Sequence, residues 1–286
     1  MTGPHHSPRF DVPRGACDTH MHVYEERFGL RPGAAFVPPH APASAYAQMQ
    51  RALGLSRVVV VQANGYGDDN RGMCEALAYF GEGARGVATV APTIGDDELQ
   101  TLHAAGVRGA RFHMLPGGFL QWPDLEALAE RIQPLGWHVQ LQLDGNTLPD
   151  HESRLTRLPV PLVIDHIGKF MPPPAADDAA FLSLLRLLDG GRCWVKLSAP
   201  YESSRSGAPG YADVAALARA LVRRHPQRCL WASNWPHPAR EPRPDDAAML
   251  DLLLDWAPDP AVRQRILVDN PAEAYGFAPI AQAANP

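Results

Sequence analysis

Eight times along this chain, a short run rich in β-branched residues and bounded by turn residues is followed by a longer segment whose apolar positions recur at helical spacing. This repetition restricts the fold more than any other feature. Strands that alternate with helices build parallel sheets through right-handed crossovers. The strand runs fall at 16–22, 57–64, 86–91, 109–115, 138–144, 162–168, 193–199 and 229–234, and helical spacing fills 43–53, 70–80, 96–105, 124–133, 178–188 and 211–225. Val58-Val59-Val60-Val61 is apolar on both faces, as a parallel strand covered on both sides requires. No long linker or composition break interrupts the 286 residues. The expected class is α/β, a single-domain (β/α)8 TIM barrel over 15–276, preceded by an N-terminal extension over 1–14 and followed by a tail over 277–286.

Charge and composition narrow the partner. A net charge of −5 without a basic run gives no footprint for nucleic acid or an anionic membrane. There is no apolar stretch of the roughly 18 residues a membrane span needs, and the polar opening 1–13 lacks the apolar core of a signal peptide. Cys17, Cys74, Cys193 and Cys229 are far apart and form no metal or disulfide pattern. A cytoplasmic protein acting on a small molecule is expected, and association into a homo-oligomer is compatible with the sequence.

A barrel carries its chemistry at the C-terminal ends of its strands. The first run ends Asp18-Thr19-His20-Met21-His22, so His20 and His22 share one side of the strand. They read either as site residues or as two strand histidines bonded to neighbouring backbone. The second run closes on Gln62-Ala63-Asn64, where Asn64 offers an amide. The fourth carries Arg111 and His113, two apart. An arginine inside a barrel is costly unless an anion answers it, so Arg111 is read as a carboxylate clamp or, alternatively, as half of a structural ion pair. Gln142 ends the fifth run, and the sixth ends Asp165-His166-Ile167-Gly168-Lys169, with His166 expected at the mouth and Asp165 facing away. The seventh brings Tyr201-Glu202-Ser203-Ser204-Arg205, of which Tyr201 and Arg205 are read as substrate contacts. The eighth brings Ser233-Asn234-Trp235-Pro236-His237, with Asn234 and His237 as candidates.

The pieces Asp18-Thr19-His20-Met21-His22, Asp165-His166-Ile167-Gly168-Lys169 and Asn234-Trp235-Pro236-His237 resemble the amidohydrolase superfamily, specifically its amidohydrolase-related group of 2-pyrone-4,6-dicarboxylate lactonases and D-galactarolactone isomerases. The resemblance covers almost the whole chain. Leu115-Pro116-Gly117-Gly118, Asp144-Gly145-Asn146, Asp150-His151 and the 201–205 loop are most similar to the isomerase pattern, which also has asparagine where Asn234 stands. His20 departs from it, because the isomerase pattern has glutamine there.

The resemblance implies an enzyme that works on sugar-acid lactones without metal. His20, His22, His166 and Asn234 would be catalytic, and Arg111, Asn64, His113, Gln142, Tyr201, Arg205 and His237 would bind substrate. Zinc held by His20, His22 and His166 is the alternative cofactor reading. Asn234 cannot take a proton from water as an aspartate could. An aldaric-acid lactone carries its own hydroxyl nucleophile, so interconversion of 1,5- and 1,4-lactones suits an amide at this position. Lactone hydrolysis is the alternative reaction, and a non-catalytic sugar-acid-binding barrel is a third reading.

Overall fold

The computed structural model describes residues 6–34 and 36–279. Of the expected extension it describes 6–14, where Arg9 pairs with Asp251. Of the expected tail it describes 277–279, and the remainder lies outside the described residues.

Eight parallel strands lie side by side in chain order: β1 (Cys17–Met21), β2 (Arg57–Val61), β3 (Ala84–Ala88), β4 (Val107–His113), β5 (His138–Gln142), β6 (Leu162–Ile164), β7 (Cys193–Leu197) and β8 (Cys229–Trp231). The ring closes just beyond β8, where Asn234 N donates to His20 O and His22 N to Trp235 O, each at 2.9 Å. Between the strands run α1 (Ala43–Ala52), α2 (Arg71–Phe80), α3 (Asp96–Ala104), α4 (Leu125–Ile132), α5 (Leu148–Thr156), α6 (Ala179–Asp189) and α7 (Ala212–Arg224). The chain ends in α8 (Asp246–Asp251), α9 (Leu253–Trp256), α10 (Pro260–Gln264) and α11 (Asn270–Tyr275). This is the (β/α)8 barrel expected from the alternation.

Two separate apolar clusters follow from the period of two along each strand. Val58 and Val60 pack outward among the helices, whereas Val59 and Val61 join Cys17, Val87, Val163 and Leu230 inside the barrel. Tyr275 and Phe277 belong to the interior cluster, and Arg57 and Arg85, from the starts of β2 and β3, stack on the Phe277 ring. The N-terminal mouth is thereby plugged by Tyr275 and Phe277. A Cβ at Gly109 would lie 2.4 Å from His138 Nε2, so glycine is required there to admit the His138 ring. With the lower barrel filled, the open interior lies at the C-terminal ends of the strands.

At those ends the backbone leaves regular geometry. His166, Ile167, Lys169, Asn234 and His237 have φ of 55°, 57°, 44°, 61° and 59°. Left-handed backbone at non-glycine residues costs about 1–3 kcal/mol each and gathers where a site must aim its side chains. Three of them, His166, Lys169 and Asn234, line the cavity described next.

Candidate active site

The first layer of polar groups lies beneath the cavity and is fully buried. Lys196 Nζ from β7 lies 3.3 Å from Asp165 Oδ1, 2.6 Å from Gln140 Oε1 and 3.2 Å from His20 Nδ1. Gln140 Nε2 donates to Asp165 Oδ2 at 3.1 Å. Asp165 therefore points into the barrel beside Val163, and not away from it as expected from the sequence. The physical reason is that β6 ends at Ile164 and His166 opens a left-handed turn, so the period of two no longer orients the side chain at 166. Burial alone would raise the Asp165 pKa, but the Lys196 ammonium beside it holds it well below the usual carboxylate range. Burial lowers Lys196 to about 8, with Asp165 opposing the shift.

Hydrogen bonding fixes where the protons sit on the strand-one histidines. Val61 O can only accept, so His22 Nδ1, at 2.8 Å, is the donor. Neutral His22 then accepts at Nε2, and His20 Nε2, 3.2 Å away, is the donor of that bond. His20 Nδ1 is left to accept from Lys196. Desolvation holds His20 well below its ordinary value and lowers His22 to about 3, so the neutral assignment is self-consistent. His22 reaches the cavity wall, whereas His20 is sealed below it. In this arrangement both ring N–H groups are committed, that of His22 to Val61 O and that of His20 to His22 Nε2.

The cavity at the strand ends is lined by His22, Asn64, Arg111, His113, Gln142, His166 and Asn234 among the residues expected from sequence, and by Tyr24, Lys169 and Glu202 among those not expected. Arg111 is buried and donates to Gln62 O at 2.6 Å and to Gln142 Oε1 at 2.9 Å. Its Nε has no partner, and no carboxylate pairs with it among the described residues. His113 Nδ1 is likewise buried and unpartnered. His166 Nδ1 lies 2.8 Å from Ser198 Oγ, and burial lowers this histidine to about 4. The Asn64 amide ties down the loop after β4, donating to Gly117 O and accepting from Phe119 N at 2.8 and 3.2 Å.

Tyr201 and His237 stand behind Asn234 and do not line the cavity. Asp246 Oδ1 accepts from His237 Nε2 at 2.9 Å, so His237 Nδ1 accepts from Tyr201 OH at 2.8 Å. The phenol oxygen in turn accepts from Asn234 Nδ2 at 3.0 Å, and the second Nδ2 proton goes to Glu202 Oε1 at 3.1 Å. Lys169 Nζ pairs with the other Glu202 oxygen. This chain of directed bonds presents Asn234 Oδ1 as the free acceptor. Arg205 is a correction: it is exposed and absent from the cavity wall, because Asp213 binds the backbone N–H of Arg205 and Ser206 and shapes that loop at the surface.

The donor set can also be tested for a metal. His20, Asp165 and His166 offer ligand atoms within 4.8 Å of one another, and His22 is not in the set. Lys196 Nζ already contacts Asp165 and His20 within this cluster, so a cation would have to displace a buried ammonium from the cluster's one carboxylate. These residues do not fit a resident metal ion.

The chain is 39% identical over 285 residues, 98% of this chain and 97% of the relative, to a D-galactarolactone isomerase of Agrobacterium fabrum. It is 37% identical over 281 residues, 94% of this chain and 92% of the relative, to a 2-pyrone-4,6-dicarboxylate hydrolase of Comamonas testosteroni. A crystal structure of an Agrobacterium tumefaciens protein in its apo form superposes with a TM-score of 0.90 at 39% identity, covering 96% of this chain and all of the other. The amidohydrolase family model matches residues 17–277, a span that takes in all eight strands: the chain belongs to the amidohydrolase family.

Proposed function

We propose that the protein is an isomerase of sugar-acid lactones, interconverting the 1,5- and 1,4-lactones of an aldaric acid such as D-galactaric acid, and that it does so without a metal. The observation that carries this reading is the charge of the cavity wall. Of its two cationic side chains, Lys169 is paired with Glu202 and Arg111 has no carboxylate. A buried cation without a counter-charge is stabilised when a ligand supplies one. One uncompensated cation suits a lactone with one free carboxylate, which is what an aldaric-acid monolactone carries. The similarity to a D-galactarolactone isomerase over 98% of the chain supports the same substrate class.

In this reading Arg111 holds the free carboxylate and Asn234 Oδ1 accepts from a substrate hydroxyl next to the one that attacks. His166 lines the cavity and donates to the carbonyl oxygen as it becomes an oxyanion. A donor aimed at that oxygen lowers the barrier by about 3 kcal/mol. An amide at strand eight aligns a hydroxyl without deprotonating a competing water. A lactone hydrolase is the second reading, favoured by the Glu202 carboxylate on the cavity wall. A cytoplasmic site of action belongs to the proposal and is supported by four cysteines that are all unpaired. No described helix is long and apolar enough to cross a membrane. An NMR time course of chelator-treated protein with D-galactaro-1,5-lactone tests the reading. The 1,4-lactone should appear ahead of the open acid, and direct formation of the open acid would overturn the isomerase in favour of the hydrolase.

A further inference from the structure

Migration of an acyl group between two hydroxyls of one molecule leaves a proton to be moved. The attacking hydroxyl must lose it, and the ring oxygen that departs must gain one. Asn234 can do neither, and His20 and His22 have both ring nitrogens committed to Val61 O, to each other and to Lys196. Glu202 is the one carboxylate on the cavity wall, and it sits in the short turn Pro200–Glu202 that follows Ala199, whose φ is 46°. That left-handed residue turns the chain back over the barrel mouth and brings the carboxylate to Asn234 Nδ2 at 3.1 Å.

We propose that Glu202 is the acid–base group of this site, accepting the proton of the attacking hydroxyl and returning it to the departing ring oxygen, with Lys169 and the Asn234 amide as the residues that position it. The inference rests on the isomerase reading for its substrate. In the step, the hydroxyl oxygen forms a bond to the lactone carbonyl carbon while its proton passes to Glu202. Collapse of the tetrahedral intermediate breaks the original ring C–O bond, and the same proton passes from Glu202 to the released oxygen. No water, oxidant or co-reactant enters, and the enzyme ends as it began.

Two features of the geometry favour this assignment. First, the Asn234 amide that offers Oδ1 to the substrate donates its Nδ2 to Glu202, so a substrate held through one hydroxyl by the amide oxygen has its neighbouring hydroxyl beside the carboxylate. Second, Lys169 and Asn234 together donate to both Glu202 oxygens and keep it ionised, despite a burial that alone would raise its pKa. Ionised, the carboxylate is in the form that can accept a proton. The amide at 234 acquires a reason as well. An aspartate there would set two carboxylates side by side, and one of them would stay protonated.

The test compares the whole protein with its Glu202→Gln and Glu202→Ala variants, using D-galactaro-1,5-lactone and NMR detection of both lactones and the open acid. Removal of a general acid–base group lowers turnover by about 10²–10⁴-fold. The expected result is such a loss of kcat in both variants with KM changed less than about threefold, and partial recovery of the Glu202→Ala variant by added formate. A kcat for Glu202→Gln within threefold of the parent protein would overturn the assignment. So would a large loss in Glu202→Ala that formate fails to restore while the melting temperature is unchanged, since that pattern belongs to a purely structural residue. If the parent protein forms open acid first, the isomerase reading fails, and the same kcat and formate comparison still decides whether Glu202 carries the proton.

Discussion

Replacement of Arg111 by Met keeps much of the side chain's length and removes its charge, so it isolates the proposed clamp. The guanidinium is held in place by Gln62 O and Gln142 Oε1 at 2.6 and 2.9 Å before any ligand arrives, and the ordering cost of binding there is already met. A charge-assisted hydrogen bond to a substrate carboxylate contributes about 1.5–3 kcal/mol net. At about 1.4 kcal/mol per factor of ten, Arg111→Met should raise KM for D-galactaro-1,5-lactone by about ten- to hundredfold. The assay needs a neutral reference. D-glucono-1,5-lactone has a similar ring and no carboxylate, and its inhibition constant against the parent enzyme and the variant should agree within about twofold. Equal loss of affinity for both lactones would show that the variant has deformed the cavity. An unchanged KM for the carboxylated lactone would refute the clamp and the charge argument built on it.

Two further outcomes follow from the buried network. Asn234→Asp places a second carboxylate about where the amide now donates to Glu202 at 3.1 Å, and such a pair retains a proton at neutral pH. Isomerisation should drop by about tenfold or more at pH 7 and recover as pH rises, a profile that NMR rates at several pH values would reveal; an unchanged rate and profile would disconnect the amide from Glu202. Stability should also fall on mild acidification. Burial lowers His22 and His138 to about 3 and His113 and His166 to about 4, whereas the unfolded chain takes up these protons near the ordinary 6.5. The stabilisation is therefore full above 6.5 and is lost as pH falls toward 4, at about 1.4 kcal/mol per histidine per pH unit. Asp18, raised to about 6 by burial against its hydrogen bonds, offsets this by less than about 1 kcal/mol. A net loss of about 4 kcal/mol between pH 7.5 and 5.5 is expected from urea midpoints, and a flat profile would contradict the neutral, buried state of these histidines.

The barrel was legible in the sequence because its signal is carried by the strands themselves. Runs such as Val58 to Val61 are apolar on both faces, and every run read as a strand overlaps one, with β3 and β4 each beginning two residues before the run that marked it. Helix α5 was not legible: over Leu148–Thr156 only Leu148 and Leu155 are buried, too few to mark a face. The same holds for the short helices after β8, which a π-turn at Arg265–Asp269 interrupts.

In the site, Arg111 on regular strand lies at the cavity, inside the barrel as read from the sequence, and Gln142, whose direction periodicity left open, lines it too. Legibility ended where the strand did. Asp165 was assigned to the wrong side because taking His166 as the inward position turns Asp165 outward, whereas Asp165 keeps the parity of Val163 and the left-handed turn brings His166 to the cavity. Lys196 passed unnoticed as the partner of Asp165, since pairing across the barrel has no signature along one chain. Glu202 was visible only as one polar residue in a loop of five. The left-handed Ala199 that swings it over the cavity has no side-chain signal in the sequence. Arg205, three residues further on, had the same appearance and ended at the surface.

The measurement that bears most directly on the central claim is isomerisation of D-galactaro-1,5-lactone in ¹⁸O-labelled water, with the 1,4-lactone product analysed by mass spectrometry before equilibrium. Direct acyl migration between hydroxyls of one substrate predicts a product that carries no label. Incorporation of one labelled oxygen would mean that water opens the ring before it closes again, and would contradict the roles of Asn234 as hydroxyl acceptor and Glu202 as carrier of the substrate's own proton.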